Sequence, residues 1–223
     1  MLSNIEKIIF IIIAFSAFSA SYVTFGKMFK AISVGSQPID WKKALWNFPK
    51  GLKVFISQNT LFKTRPIVGF IHALVAWGFT LYLIVNVVDV LYGFIPDFHF
   101  FPNYLIGKMY RIFVDVFTVL VLVGVFYFLV RRFIFNDKRL IINKPVMISE
   151  EARIGMRNDS LLVGLFILFH VGARFLSASF EIAKNGVDDF QPAATTVSLL
   201  WSNLSSENII LFDGPLVIKN KLS

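Results

Sequence analysis

The chain has 223 residues, of which 56% are hydrophobic and 16% are charged, and its formal net charge is +8. Soluble domains carry about 25% charged residues, so this composition argues against a soluble globular domain and for a protein that lies in lipid. Because the chain contains no cysteine, it excludes a disulfide framework, a Cys-ligated zinc finger and an Fe–S cluster held by this chain.

Four segments are long and apolar enough to cross a membrane, which takes about 20 residues. In chain order they are residues 7–29, 66–94, 108–130 and 159–181. Pro66 and Asp159 are residue types that favour a helix start. The first segment contains small residues that mimic a signal-peptide cleavage site, but its apolar run continues past them, which favours a retained helix.

A fifth segment, residues 195–212, has Ser, Asn and Glu in its middle and is only a weak candidate span. The sequence therefore predicts an all-α, polytopic transmembrane helical bundle with four spans and this weak fifth. We expect one transmembrane domain over residues 1–212 and a short polar tail over residues 213–223.

Basic residues gather in two of the segments that connect the predicted spans. Residues 27–65 and 131–158 are rich in Lys and Arg, whereas residues 95–107 have neither. The positive-inside rule predicts that both basic segments are cytoplasmic and that the amino terminus is outside. A second interpretation adds docking of these segments to anionic lipid or to a cytoplasmic partner.

Two of the three histidines lie within predicted spans, where ionisable residues are rare and usually face the bundle interior. At 1.5 Å per residue, His72 lies about 9 Å and His170 about 17 Å from the cytoplasmic end of its span. Neutral imidazole is a common axial ligand of haem iron; the alternative is a hydrogen bond to a neighbouring helix. The difference in depth, about 7–8 Å, makes the two histidines a poor pair for one haem.

Arg174 follows His170 by four residues and therefore shares its helix face. It is predicted to pair either with a haem propionate or with Asp115, an acid at similar depth in the third span. Asp115 is also four residues after Arg111, so the carboxylate has a second candidate partner. His99, in an aromatic-rich connecting segment, is interpreted as a surface residue.

The stretch TRPIVGFIHALVAWGF, residues 64–79, follows a basic segment and contains His72. It resembles the N-terminal membrane domain of bacterial Fe–S oxidoreductases related to heterodisulfide reductase, a domain similar to the gamma subunit of respiratory nitrate reductase. The resemblance covers residues 1–212. It implies a protein of the bacterial cytoplasmic membrane that binds haem b and exchanges electrons between the quinone pool and a cytoplasmic Fe–S protein or domain.

The resemblance implies that His72 is an axial haem ligand. His170 and Arg174 match no ligand of the whole family; His170 is a candidate second ligand or quinone hydrogen-bond donor, and Arg174 a candidate propionate partner. The family continues into a Trp- and His-rich span and then cysteine motifs, and this chain has neither. We therefore expect either a truncated product or the membrane half of a split system, in which the second ligand to the haem would be missing.

Three functions remain open at this stage. The leading hypothesis is a membrane electron-transfer subunit with haem b. The second is a membrane anchor without a cofactor, whose buried polar residues only join helices and whose basic segments hold a soluble enzyme. A small transporter is disfavoured because the sequence shows no internal repeat.

Overall fold

The computed structural model describes residues 2–34, 40–102, 104–135 and 149–204. Within these ranges every regular element is helical, which confirms the predicted all-α class. The helices are α1 (Asn4–Ser33), α2 (Trp41–Ser57), α3 (Asn59–Thr64), α4 (Pro66–Phe94), α5 (Leu105–Leu129), α6 (Glu150–Asn185) and α7 (Pro192–Leu204), and α5 continues as a π-helical turn over Val130–Ile134.

Among the described residues, four helices are long and apolar enough to cross a membrane. They are Asn4–Ser33, Pro66–Phe94, Leu105–Ile134 and Glu150–Asn185. Each contains one predicted span, so the four-span prediction is confirmed. The α7 helix includes residues 195–204 of the weak fifth segment, while residues 205–212 and the predicted tail lie outside the described residues.

The prediction that Asp159 starts a helix is wrong, whereas the prediction that Pro66 starts one is confirmed. The α6 helix begins at Glu150, nine residues before Asp159, because the Ser149 side chain accepts a hydrogen bond from the backbone N–H of Ala152 at 3.2 Å. A side-chain oxygen in this position satisfies one of the amide groups that a helix start leaves unpaired. Asp159 consequently lies inside the helix.

The described residues divide into two compact units. The first contains α1, α2, α3 and both ends of α4. In this unit the amino end of α1 lies beside the carboxyl end of α4, because the backbone N–H of Leu2 donates to the carbonyl of Gly93 at 3.0 Å. The rings of Phe10 and Phe94 meet edge to face, with centroids 5.5 Å apart.

The second unit contains residues 70–83 of α4 together with α5, α6 and α7. Its helices approach closely at glycines: a Cβ added at Gly78 would meet Val121, and one added at Gly124 would lie 2.6 Å from the Val75 side chain. These contacts are antiparallel, since residue numbers rise on α4 as they fall on α5. In lipid, helix association depends on such close van der Waals packing at small residues.

Candidate functional site

His72, the residue that the resemblance singles out, lies on α4 with an exposed side chain. Its ring meets the ring of Phe128 on α5 edge to face, with centroids 6.2 Å apart. It lies one and a half turns after Pro66, where α4 begins. The imidazole is therefore near the end of the span that joins the basic segment, on the outer surface of the second unit.

His170 lies on α6 and also has an exposed side chain. Its ring stacks on Phe166, one turn earlier on the same helix, with centroids 6.0 Å apart and planes 1° apart. The ring of Tyr82 lies 6.5 Å from the His170 ring in an edge-to-face contact. The Tyr82 hydroxyl forms a buried hydrogen bond of 2.6 Å with the hydroxyl of Thr118 on α5.

The two imidazoles lie at different levels of the second unit. His72 is level with Phe128 of α5, whereas Gly164 and Gly172 of α6 pack against Leu129 and Leu122, which places His170 beside residue 123 or 124. The separation along α5 is about four residues, or about 6 Å.

A haem with two imidazole ligands needs both rings on opposite sides of one iron atom. The described residues do not bring His72 and His170 together in this way, since each ring lies against aromatic side chains at its own level. The described residues also contain no group of three or more His, Cys, Asp and Glu side chains that would hold a metal ion. At either level, the described residues therefore supply a single imidazole that could act as one ligand to haem iron.

Asp115, on α5, is buried with 3% of its surface exposed. Its two carboxylate oxygens accept hydrogen bonds from the backbone N–H groups of Ala193 at 2.6 Å and Ala194 at 3.0 Å. These are the second and third residues of α7. The first α7 hydrogen bond runs to the carbonyl of Gln191, at the capping position. Asp115 thus acts as an N-cap residue that is supplied by another helix.

This geometry corrects the expected ion pair between Asp115 and Arg174. Within the described residues, the contacts of Asp115 are the two amide groups of α7. The amino end of a helix carries unpaired N–H groups and a partial positive charge. It can therefore supply both the hydrogen bonds and the positive charge that a buried carboxylate needs, in place of a guanidinium. Arg174 lies half-buried on α6, one turn after His170.

Arg111, the other expected partner of Asp115, instead pairs with Asp188 in the connection between α6 and α7, at 3.1 Å. The same connection places the Phe190 ring within 5.3 Å of the Arg111 guanidinium and 5.2 Å of the Lys108 ammonium. We call Asp115, Arg111, Lys108, Asp188 and Phe190 the α5–α7 polar cluster. It holds the start of α7, and the connection that precedes it, against charged side chains of α5.

A second polar contact fixes the other end of α7. The indole N–H of Trp201 donates to the hydroxyl oxygen of Ser179 on α6 at 2.8 Å. Ser179 is fully buried, and its own hydroxyl donates to the carbonyl of Leu176 at 2.7 Å. The Trp201 ring stacks on Phe180, with centroids 4.1 Å apart. The short α7 helix is therefore attached to the second unit at both ends.

His99 conforms to its interpretation as a surface residue. Its side chain is exposed, and its Nδ1 lies 2.9 Å from the carbonyl oxygen of Asp97. The ring also contacts Tyr92 edge to face, with centroids 5.9 Å apart. This histidine is a useful matched control for the two in the spans.

Comparisons with known proteins give no relative of this chain: no protein-family model, no curated protein and no solved structure matches it. The resemblance to the heterodisulfide reductase-related family therefore rests on residues 64–79 and on the order of spans and basic segments. The four apolar helices identify a membrane protein by length and composition.

Proposed function

We propose that this chain is a membrane electron-transfer subunit that exchanges electrons between the quinone pool and a cytoplasmic Fe–S protein. The observation that carries the proposal is the placement of His72. It lies near the end of α4 that joins the basic segment, inside the stretch that resembles the redox family, and its side chain is exposed. An imidazole in this place is accessible to haem b from outside the second unit.

His72 would hold the haem iron through an imidazole nitrogen, and a further ligand would come from a partner chain. Haem b, when bound, supplies one-electron chemistry. His170 would donate a hydrogen bond to a quinone carbonyl, since its ring, which contacts Phe166 and Tyr82, is exposed and accessible from lipid. Arg174 would place positive charge near a propionate or a quinone oxygen on the same face of α6.

The orientation of the chain follows from its charge distribution. The positive-inside rule places residues 27–65 and 131–158 in the cytoplasm and the amino terminus outside, in a bacterial cytoplasmic membrane. His72 would then lie on the cytoplasmic side, where the Fe–S protein docks. This arrangement gives electrons a short route from the membrane to the partner.

One observation favours a second candidate function, that of a membrane anchor without a cofactor. The two span histidines lie at different levels, and the buried polar groups join helices: Asp115 caps α7, and Ser179 accepts from Trp201. In this alternative the basic segments hold a soluble enzyme at the membrane. His72 would then be an ordinary side chain on the α4 surface.

The two candidates differ in whether the purified protein carries haem. We expect the full chain to show a b-type reduced-minus-oxidised spectrum and a pyridine haemochrome. His72→Ala should abolish both signals, because the iron loses its ligand from this chain, whereas His99→Ala should leave the haem content unchanged. His170→Ala should retain haem and weaken quinone reduction.

A protein that is folded and colourless would exclude the electron-transfer role for this chain and favour the anchor. A haem signal that survives His72→Ala would keep the redox role but assign the ligand elsewhere. Circular dichroism of each variant shows whether the helices remain intact.

A further inference from the structure

The α2 helix, Trp41–Ser57, is basic along its whole length. It contains four lysines and no acidic residue, and its only adjacent acid, Asp40, is used to cap the helix by accepting from the N–H of Lys43 at 2.9 Å. Its sequence was expected to be part of a long connecting segment. As a helix of 17 residues it extends for about 25 Å.

One face of α2 is apolar and largely exposed. Residues spaced alternately by four and three positions, the repeat of a helix face, are Trp41, Leu45, Phe48, Leu52 and Phe55. Their side chains are 45–75% exposed, and no residue of α2 is buried. Contact between this row of large apolar side chains and water would be unfavourable. Exposed apolar patches of this kind usually indicate a surface that is covered in the working protein.

The lysines lie away from this face. At 100° per residue, Lys43 and Lys50 point to the opposite side, and Lys42 and Lys53 lie at its border. Trp46 also lies on the lysine side, 83% exposed; tryptophan is enriched at the headgroup level of membranes. A strong division between an apolar and a lysine-rich face is typical of helices that lie in the plane of a membrane interface.

The ends of α2 are attached to the ends of two spans. Its first residue, Trp41, stacks on Phe29 in the last turns of α1, with centroids 6.1 Å apart and planes 14° apart. After α2 the chain forms the short α3 and enters α4, where Gly69 packs so closely on Leu61 that an added Cβ would lie 2.8 Å from the Leu61 carbonyl oxygen. The carboxyl end of α1 and the amino end of α4 therefore lie close to the two ends of the α2–α3 segment.

We infer that α2 lies in the membrane interface, with its apolar face in the headgroup and acyl boundary and its lysines on the phosphates of anionic phospholipid. The bilayer is the favoured occupant because both attached spans hold α2 at its surface, which gives a high effective concentration. Its charge complements an anionic leaflet, where each lysine contributes to attraction. The lysines of α2 would then bind lipid, and protein docking would be left to other basic residues.

The test uses the absence of native cysteine. Single cysteines are introduced in the full chain as Leu52→Cys, on the apolar face, and Val54→Cys, an apolar residue about 200° away, and each is spin-labelled. The protein is reconstituted alone into nanodiscs of phosphatidylglycerol or phosphatidylcholine. Collisions with oxygen report lipid exposure, and collisions with a nickel chelate report water exposure. Leu45→Cys repeats the measurement at a second apolar position.

In phosphatidylglycerol we expect the label at Leu52 to be exposed to oxygen and shielded from nickel, and the label at Val54 to show the reverse. Replacing Lys50 or Lys53 by glutamine should shift the docking equilibrium about fivefold towards water for each lysine. The shift should shrink in high salt, which screens surface charge, and should be absent in phosphatidylcholine.

Equal water exposure of both labels in phosphatidylglycerol would overturn the inference and leave the apolar face to a protein partner. Equal immersion in both lipids, with no effect of the lysine substitutions, would overturn the anionic part of it. Since the protein is reconstituted without a partner, neither result depends on haem or on the redox role.

Discussion

Replacing Asp115 by alanine removes both hydrogen-bond acceptors from the amino end of α7. In the native protein the carboxylate is 3% exposed and accepts from Ala193 and Ala194 at 2.6 and 3.0 Å. Pro192, the first residue of α7, has no N–H, so these two amides are the ones that the cap must satisfy. Gln191, at the capping position, directs its side chain to Asp188 instead, at 2.9 Å.

The expected loss follows from these contacts. A hydrogen bond to a charged group contributes roughly 1.5–3 kcal/mol to stability, and loss of a cap alone costs about 0.5–2 kcal/mol. Because the two bonds share one carboxylate, their contributions do not add fully, and we expect α7 to be destabilised by about 3 kcal/mol in total. That free energy corresponds to roughly a hundredfold change in the population of the detached helix.

Hydrogen–deuterium exchange of the full chain in nanodiscs measures this population directly. Amides in α7 should exchange roughly a hundredfold faster in Asp115→Ala than in the wild type, while amides of α1 should be unchanged. Asp115→Asn retains one oxygen acceptor without the charge, so its effect should be intermediate. Asp189→Asn is the matched control, since this exposed residue in the connection before α7 also loses one charge.

An unchanged exchange rate for α7 in Asp115→Ala would refute the reasoning, since the carboxylate would then not hold the helix. A large effect of Asp189→Asn would refute it differently, by showing that charge in the connection matters more than the cap. Faster exchange in every helix of Asp115→Ala would mean that α7 supports the whole second unit, and Asp115→Asn would then give the local value.

Two further predictions concern close packing at Gly69 and the second attachment of α7. Gly69→Ala should destabilise the turn into α4 by about 1–3 kcal/mol, because the new Cβ meets the backbone of Leu61. Gly51→Ala, whose new Cβ would meet nothing within 4 Å, should instead stabilise α2 by up to about 1 kcal/mol. Thermal unfolding in detergent compares the two variants, and equal effects on stability would contradict the packing argument. Trp201→Phe should keep ring stacking but lose the hydrogen bond to Ser179, which should raise amide exchange in α7 about fivefold for a loss of about 1 kcal/mol. The same substitution made in a Ser179→Ala background should have no such effect if the hydrogen bond is the cause. An effect of the same size in that background would show that the hydrogen bond is not the cause.

Much of the fold could be predicted because a bilayer imposes a simple requirement on sequence. A span must satisfy its own backbone hydrogen bonds and be apolar over about 20 residues, so length and hydropathy locate it. Pro66 also marks the start of α4, since proline at the first helical position lacks only an N–H that the helix does not use. The part of α6 that precedes the predicted span, from Glu150 to Asp159, carries no hydropathy signal, so hydropathy does not predict it.

The α2 helix was missed for a different reason. Its lysines were interpreted as a topology signal for residues 27–65, and that count ignored their spacing. The alternation of four and three positions from Trp41 to Phe55 was available in the sequence and predicts an amphipathic helix. Charge and periodicity are independent signals, and in residues 41–55 it is the periodicity that indicates the helix.

The partner of Asp115 could not be predicted from helix depth alone. A depth can be compared only for side chains on continuous spans. Arg174 was selected because it lies at a depth similar to that of Asp115. The true partners are backbone amides at the start of α7, a helix that the polar composition of residues 195–212 made doubtful. Pro192, a residue type that favours the first position of a helix, was the available signal for a helix start.

The cap on α7 also has a consequence for the order in which the protein assembles. Asp115 and Ala193 are separated by 78 residues along the chain. At a synthesis rate of about 5–20 residues per second, roughly 4 to 16 seconds pass between the emergence of the acid and that of the amide groups that bind it. During this interval α5 carries a carboxyl group without its final partners. The second unit therefore completes its polar contacts only when its last described helix arrives, and a ribosome that pauses in the α6–α7 connection prolongs the exposure of a half-assembled membrane protein.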